Sequence, residues 1–135
     1  MKLSYLLYKS VADENITERD LLEISEKSKE NNIDHELTGL LLYGNNSFVQ
    51  ILEGDEQNIE ILYRKLLTDK RHNNLKVVKR DKLERRYFPT WSMGFRSIGN
   101  KEMQLIDKAI EGQSIEPVHG YVALEMMTGF MKRNG

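Results

Sequence analysis

Residues 37–54, with the sequence LTGLLLYGNNSFVQILEG, predict a central β-hairpin that decides the fold. Two apolar runs flank the triplet GNN at residues 44–46, whose residue types tolerate the positive φ of a tight turn between strands. In the first run both alternating sets are apolar, which is typical of a strand covered on both faces. In the second run Gln50 shares one face with Phe48 and Leu52. An amide buried without partners costs about 1–3 kcal/mol, so we expect Gln50 to bond protein, water or a ligand.

The remaining periodicities place the hairpin in an α+β fold. In chain order they predict a strand at 3–8, a helix from Thr17 to about Asn31 that begins with a Thr17/Asp20 capping box, the hairpin, a helix around 59–66, and strands at 76–83 and 87–95. The order β-α-β-β-α-β is the ferredoxin-like, split βαβ arrangement, in which two helices pack on one face of an antiparallel sheet. The last predicted strand extends this sheet as a fifth strand.

Two C-terminal helices are predicted after the sheet, at residues 100–111 and after Pro117. The face of the last helix that carries Met127 and Met131 is interpreted as a cover for the free face of the sheet, with a partner groove as the alternative. A chain of 135 residues suffices for one domain with a real core.

Composition excludes several classes of function. With 20 basic and 21 acidic side chains the net charge is -1, which gives no reason to expect nucleic acid or an anionic membrane as a partner. The absence of cysteine excludes disulfides, thiolate metal sites and thiol nucleophiles, and it fits the cytoplasm. The sequence has no apolar run long enough for a signal peptide or membrane span, and the three histidines show no metal-ligand spacing. We therefore expect a cytoplasmic protein without metal, nucleic acid or membrane.

A set of uncharged polar residues is predicted to point toward the core between the first two helices. Its members are Tyr8, Ser28, Asn31, Asn32 and Gln50, with Trp91 and Met93 nearby on the last strand. On the first helix the polar members continue the apolar stripe that includes Ile24. Taken singly, each is more often a satisfied structural group. Together they offer the donors and acceptors that a neutral, planar heterocycle with imide-type edges requires.

In these residues the chain resembles the BLUF domains, blue-light sensors that use flavin, from about residue 3 to 93. The pieces that carry the resemblance are LLYKS around Tyr8, SKENN at the end of the first helix, LTGLLLY, SFVQILEG with Gln50, DKRH at 69–72, and FPTWSM ending at Met93. The resemblance implies a flavin-binding domain at residues 1–96. Beyond about Arg96 the pattern of the family lapses, and the two predicted helices form a C-terminal extension at 97–135.

The resemblance also implies a cofactor, noncovalent FAD or less often FMN, held between the first two helices. By position, Asn31 and Asn32 would bond the polar edge of the flavin, and Ile24 and Leu66 would sandwich its ring. Ser28 and Asp69 would belong to the same site, with Arg71 and His72 toward the flavin side chain and phosphates.

Tyr8 and Gln50 would be the photochemical pair. A phenol can give an electron and a proton to an excited flavin, and an amide can relay the proton and return in a different orientation or tautomer. Trp91 and Met93 would sense the rearranged hydrogen bonds. No net reaction is implied, so we expect a photoreceptor without enzymatic activity that signals to an unidentified protein partner and forms a homo-oligomer.

Two other functions stay open at this stage. One is a small ferredoxin-like enzyme of the acylphosphatase type, against which no Arg and Asn stand as a phosphate cradle. The other is an interaction module that keeps the fold without flavin, which the colour of the purified protein would distinguish.

Overall fold

The structure of the protein, a computed structural model, describes residues 2–89 and 92–110. Its elements are β1 (Leu3–Ala12), α1 (Glu18–Asp34), β2 (Thr38–Gly44), β3 (Ser47–Asp55), α2 (Glu56–Leu67), β4 (His72–Lys82), β5 (Gly94–Ser97) and α3 (Asn100–Ile110). Trp91 and the helix predicted after Pro117 lie outside the described residues. No helix within those two ranges is long and apolar enough to cross a membrane.

The five strands form one sheet in the order β4-β1-β3-β2-β5. The neighbours β4-β1, β1-β3 and β3-β2 are antiparallel, which confirms the predicted ferredoxin-like arrangement. The fifth strand joins at the edge beside β2 and runs parallel to it, so the sheet is mixed. This order places β1 and β3 at the centre, where their backbones are paired on both sides.

The predicted turn of the central hairpin is confirmed. Asn45 and Asn46 adopt φ values of 47° and 57°, the left-handed conformation that a two-residue hairpin turn requires. Within the hairpin β2 approaches β3 closely at Gly39, where a Cβ atom would lie 2.0 Å from the carbonyl oxygen of Ile51. Any larger residue at this position would push the two strands apart.

The sheet separates two apolar layers. On the α1/α2 face, Leu6, Leu41 and Leu52 pack with residues of α1 and α2. On the α3 face, Leu7, Leu40 and Ile51 pack with Met103 and Ile106 of α3. β2 is thus buried on both faces, as its sequence predicted, and each buried leucine contributes about 1.5–3 kcal/mol relative to an exposed one.

Several predicted boundaries are wrong by a few residues. β1 continues past Tyr8 to Ala12, because its backbone keeps pairing with β3 and β4 on both sides. β4 begins at His72 rather than residue 76, since His72 pairs with Ala12. The Thr17/Asp20 capping box is present as predicted, but α1 extends to Asp34, where His35 caps it by donating its N–H to the carbonyl of Asn31.

The predicted strand at 87–95 is wrong in position, since β5 comprises Gly94–Ser97. The backbone N–H groups of Tyr87 and Phe88 do not enter the sheet, because both donate to the carboxylate of Glu53. Met93 immediately precedes β5 rather than lying within a strand.

Candidate functional site

A cavity of about 500 Å³ lies between α1, α2 and the sheet. This volume is within the range of small-molecule and cofactor sites. Of the predicted site residues, it brings together Tyr8, Ile24, Ser28, Asn31, Gln50, Leu66, Asp69, Arg71 and His72. Asn32 and Met93 are buried next to this set without lining the cavity.

Apolar side chains from two helices and two strands form the walls of the cavity. They are Ile24 of α1, Leu62 and Leu66 of α2, and Leu41 and Phe48 of the hairpin. Such a slot between two helices suits a flat, largely apolar ring system, and polar groups are needed only where its edge carries heteroatoms.

Tyr8 and Gln50 share one register position on β1 and β3, and both side chains are almost fully buried. The hydroxyl of Tyr8 donates a hydrogen bond to Oε1 of Gln50. Nε2 of Gln50 in turn points to Sδ of Met93, at 3.6 Å, so the amide connects the phenol to the thioether. Burial raises the pKa of Tyr8 far above its ordinary value, and the charge of Asp69 adds to the effect, so the phenol stays protonated near neutral pH.

The two asparagines near the C-terminal end of α1 differ in role. Asn31 lines the cavity, and its carbonyl holds the helix C-cap. Asn32 is fully buried, and its Nδ2 donates to the carbonyl of Ser92. Among residues 2–89 and 92–110, Oδ1 of Asn32 is buried without a donor. A buried acceptor needs a donor, and an imide N–H of a flavin would suit this oxygen, but Oδ1 does not line the cavity and the Asn32 side chain would have to turn toward it.

Asp69 and Arg71 form a two-point ion pair at the edge of the cavity. Nη2 of Arg71 lies 2.8 Å from Oδ2 of Asp69, and Nε lies 3.1 Å from Oδ1. These hydrogen bonds hold the pKa of Asp69 below its ordinary value and raise the pKa of Arg71. The guanidinium therefore already has a carboxylate partner within the protein.

His72 is fixed by contacts on both ring nitrogens. Its Nε2 lies 2.9 Å from the carbonyl oxygen of Leu66, so this nitrogen must carry a hydrogen. Its Nδ1 lies 2.7 Å from Oγ of Ser10, and its ring meets that of Phe48 edge-on at 6.3 Å. The side chain thus ties the end of α2 to β1 and β3 beside the cavity.

Sequence reasoning missed the basic rim of the cavity. Lys27, Lys65 and Lys70 line its opening and are exposed. Lys70 lies inside the motif DKRH, and Lys27 and Lys65 directly precede the site residues Ser28 and Leu66. Adjacency to predicted site residues was the signal that could have found them.

Sequence reasoning also missed Glu53, which is fully buried on β3. Its carboxylate accepts from the backbone N–H groups of Tyr87 at 2.6 Å and Phe88 at 2.9 Å, and from the hydroxyl of Thr38 at 3.2 Å. Burial raises the pKa of Glu53, and the two N–H donors oppose this rise because they favour the charged form. Glu53 lies on the same face of β3 as the buried Val49 and Ile51. A charged residue in this alternating apolar set was the signal that could have found it.

The sequence of this chain is similar to those of known light-responsive proteins. The sequence model of the family described as "BLUF: Sensors of blue-light using FAD" matches residues 3–94. The blue light- and temperature-regulated antirepressor BluF of Escherichia coli (strain K12) is 29% identical over 105 residues, which are 78% of this chain and 24% of the relative. Photoactivated adenylate cyclase subunit beta of Euglena gracilis is 33% identical over 92 residues, which are 67% of this chain and 11% of that protein. The chain thus spans only a small part of the length of these relatives.

Solved structures agree with the match. The dark-state structure of BlrB, a BLUF protein, has a TM-score of 0.73 at 28% identity and covers 92% of this chain and 97% of that chain. The photo-activated state of BlsA has a TM-score of 0.79 over 93% of this chain and 94% of that chain, and at 23% identity it supports the fold alone. Since the family model covers most of the sheet, both cavity helices and the Tyr8–Gln50–Met93 contacts, the chain belongs to the BLUF family of blue-light sensors that use FAD.

Proposed function

We propose that this chain detects blue light through a flavin held in the cavity between α1 and α2, and that Tyr8, Gln50 and Met93 convert absorption into a change of hydrogen bonds. The observation that carries the proposal is the buried series of contacts from the Tyr8 hydroxyl to the Gln50 amide and on to the Met93 sulfur. The amide can both donate and accept, whereas the thioether can only accept, so turning the amide changes the pattern of hydrogen bonds.

The residues of the cavity fit a flavin, and FAD is the form we propose. Asn31 and Asn32 would hold the polar edge of the ring, with Ile24 and Leu66 against its faces. When bound, the flavin supplies the blue-light absorption and, once excited, accepts an electron and a proton. Arg71 is already paired with Asp69, so we assign the flavin phosphates to the basic rim formed by Lys27, Lys65 and Lys70.

The chemistry of the protein's own residues follows from their hydrogen bonds. Tyr8 is a protonated phenol, and it would release its proton to the amide oxygen of Gln50 only together with the loss of an electron to the excited flavin. If the Gln50 amide then turns by half a rotation, its oxygen faces the Met93 sulfur and its NH₂ group faces Tyr8. A thioether has no proton to donate, so this turn removes the Gln50–Met93 hydrogen bond. We propose that Met93, together with Trp91, reports this loss to the rest of the protein.

We further propose that α3 carries the change to a protein partner. Lys9 follows Tyr8 in β1 and pairs with Asp107 of α3 on the opposite side of the sheet. A displacement of β1 at Tyr8 therefore acts directly on α3. In this proposal residues 1–96 sense light, residues 97–135 form the output surface, and the partner includes a second copy of the chain. The relatives named as an antirepressor and a cyclase subunit are consistent with sensors of this family acting on other proteins.

The proposed role has no enzymatic step, because the photocycle returns Tyr8, Gln50 and Met93 to their starting state. The family match removes the support for an acylphosphatase-type enzyme or a flavin-free module. A cytoplasmic location stays a prediction from the cysteine-free sequence.

The test is a visible absorption spectrum of the purified protein in the dark and after blue light. We expect a flavin spectrum that shifts reversibly to longer wavelength on illumination. Denaturation should release the cofactor, and its mass should identify FAD. If protein refolded with excess FAD and desalted stays colourless, the receptor function is wrong; if the released cofactor is FMN, only the assignment of FAD is wrong.

A further inference from the structure

The segment between β4 and β5 is held from both faces of the sheet by residues of β3. On the α3 face, the carboxylate of Glu53 accepts the N–H groups of Tyr87 and Phe88. On the α1/α2 face, the amide of Gln50 donates to Met93. Glu53 and Gln50 lie three positions apart on a strand that is paired on both sides, so the two attachment points share one rigid frame.

Arg86 strengthens the attachment at Glu53. Its guanidinium donates to the hydroxyl of Thr38 at 2.9 Å and to the backbone carbonyls of Glu53 at 3.1 Å and Glu36 at 2.9 Å. Glu36 has a φ of 54°, an unusual conformation for a residue with a side chain. Arg86 thus bonds the segment to the loop between α1 and β2 at Glu36, to the first residue of β2 and to β3.

The chain between the two attachment points is short. Phe88 packs in the apolar layer of the α3 face, whereas Met93 packs in the layer of the α1/α2 face. Phe88 and Ser92 are separated by four peptide steps, which reach at most roughly 14 Å when fully extended. This length limits how far Ser92 and Met93 can lie from Phe88, and the carbonyl of Ser92 is held in addition by Nδ2 of Asn32.

We infer that Glu53 is a positioning residue for the contact between Gln50 and Met93, acting through the backbone of Tyr87 and Phe88. The inference rests on the proposed photochemical role of Gln50 and Met93, but the position of Met93 can be measured without flavin. Glu53 does not line the cavity, and its carboxylate bonds the backbone of the segment that leads to Met93.

Glu53→Gln is the sharpest variant, because it keeps the shape of the side chain and replaces one acceptor oxygen by an NH₂ group that faces a backbone N–H. Arg86→Lys is a second variant that weakens the same attachment should Glu53→Gln fail to fold. Glu84→Gln makes the same chemical change at an exposed position of the segment and serves as the matched control.

The first readout is the methyl resonance of Met93 in flavin-free protein labelled at methionine, assigned by its loss in Met93→Leu. We expect this resonance to shift in Glu53→Gln and Arg86→Lys and to stay in place in Glu84→Gln. An unchanged Met93 resonance in both Glu53→Gln and Arg86→Lys would overturn the inference, whether or not the protein responds to light.

The second readout is the rate of dark recovery after blue light in the flavin-loaded protein. Glu53→Gln removes one hydrogen bond that holds the segment, so Met93 is less restrained beside Gln50. We therefore expect dark recovery in this variant to be faster by about threefold or more. In a Met93→Leu background the same substitution should have almost no effect. Equal acceleration in both backgrounds would show that Glu53 does not act through Met93. A wild-type protein without any light response would count against the proposed function, and the resonance of Met93 would then still test the inference.

Discussion

The hydroxyl of Tyr8 and the amide oxygen of Gln50 meet at one register position between the two central strands, and neither side chain has more than 3% of its surface exposed. The strands fix where the two groups can lie, so the contact does not depend on a mobile loop. In the proposed function light first alters this hydrogen-bond pattern, and the displacement of β1 at Tyr8 follows from it.

Replacing Gln50 by Leu should abolish the light-induced spectral shift while flavin stays bound, because leucine cannot exchange donor and acceptor roles. The variant also leaves the Tyr8 hydroxyl buried without its partner, which costs about 1–3 kcal/mol of stability. Adding Tyr8→Phe to Gln50→Leu should restore part of the lost stability, because it removes the unpaired hydroxyl. Absorption spectroscopy and thermal denaturation measure the two effects.

Gln57→Leu is the matched control for Gln50→Leu, because Gln57 is exposed on α2. It should retain a normal shift. A normal shift in Gln50→Leu itself would contradict the role of the amide.

Replacing Lys9 by Met should uncouple α3 from the light response. The substitution removes the ion pair with Asp107, in which each side chain is 19% exposed, and leaves Tyr8 and Gln50 in place. In the wild type we expect hydrogen exchange of α3 to differ between dark and blue light; in Lys9→Met this difference should disappear while the spectral shift persists. Rearranging one or two hydrogen bonds shifts populations modestly, so local changes in protection are expected rather than unfolding.

Lys108→Met removes an exposed lysine from the same helix and should leave the light-dependent exchange of α3 intact. If α3 still responds to light in Lys9→Met, or never responds in the wild type, the proposed route through α3 is wrong and the photochemistry is unaffected.

The lowered pKa of Asp69 predicts how the stability of the folded protein depends on pH. Its pKa is lowered in the folded state, chiefly by the hydrogen bond from Arg71, so its contribution is fully present above the ordinary aspartate pKa of about 3.9 and is lost as the pH falls through the lowered value. The thermal midpoint of Asp69→Asn should therefore lie below that of the wild type near neutral pH, and the gap should close in acid. Because the pair is partly exposed, we expect a difference of about 1 kcal/mol or less.

Glu26→Gln, at an exposed position of α1, should change stability near neutral pH by less than about 0.5 kcal/mol. If the difference in thermal midpoint between Asp69→Asn and the wild type became larger in acid, it would contradict the stabilising role of the ion pair between Asp69 and Arg71.

Local sequence signals were sufficient for much of the fold. The turn at Asn45 and Asn46 and the capping box at Thr17 and Asp20 each depend on residues close in sequence, and both are present. The burial of Gln50 followed from strand alternation alone.

The missed features depend on contacts between distant segments. Residues 87 and 88 were assigned to a strand because their side chains fit one, yet their backbone N–H groups bond the carboxylate of Glu53, more than thirty positions earlier. The start of β4 likewise depends on its pairing with Ala12. The basic rim arises where Lys27 of α1 and Lys65 of α2 converge on one opening, and periodicity within one segment does not reveal such convergence.

Neighbouring residues of β1 contact different parts of the protein. Tyr8 contacts the amide of Gln50, whereas Lys9, the next residue, contacts α3. Because successive side chains of a strand project to opposite faces, mutations at positions such as Tyr5, Leu7 and Lys9 can remodel the attachment of α3 without touching the light-absorbing side. A lineage can thus acquire a new output by drift on one side of a single strand while purifying selection preserves the other.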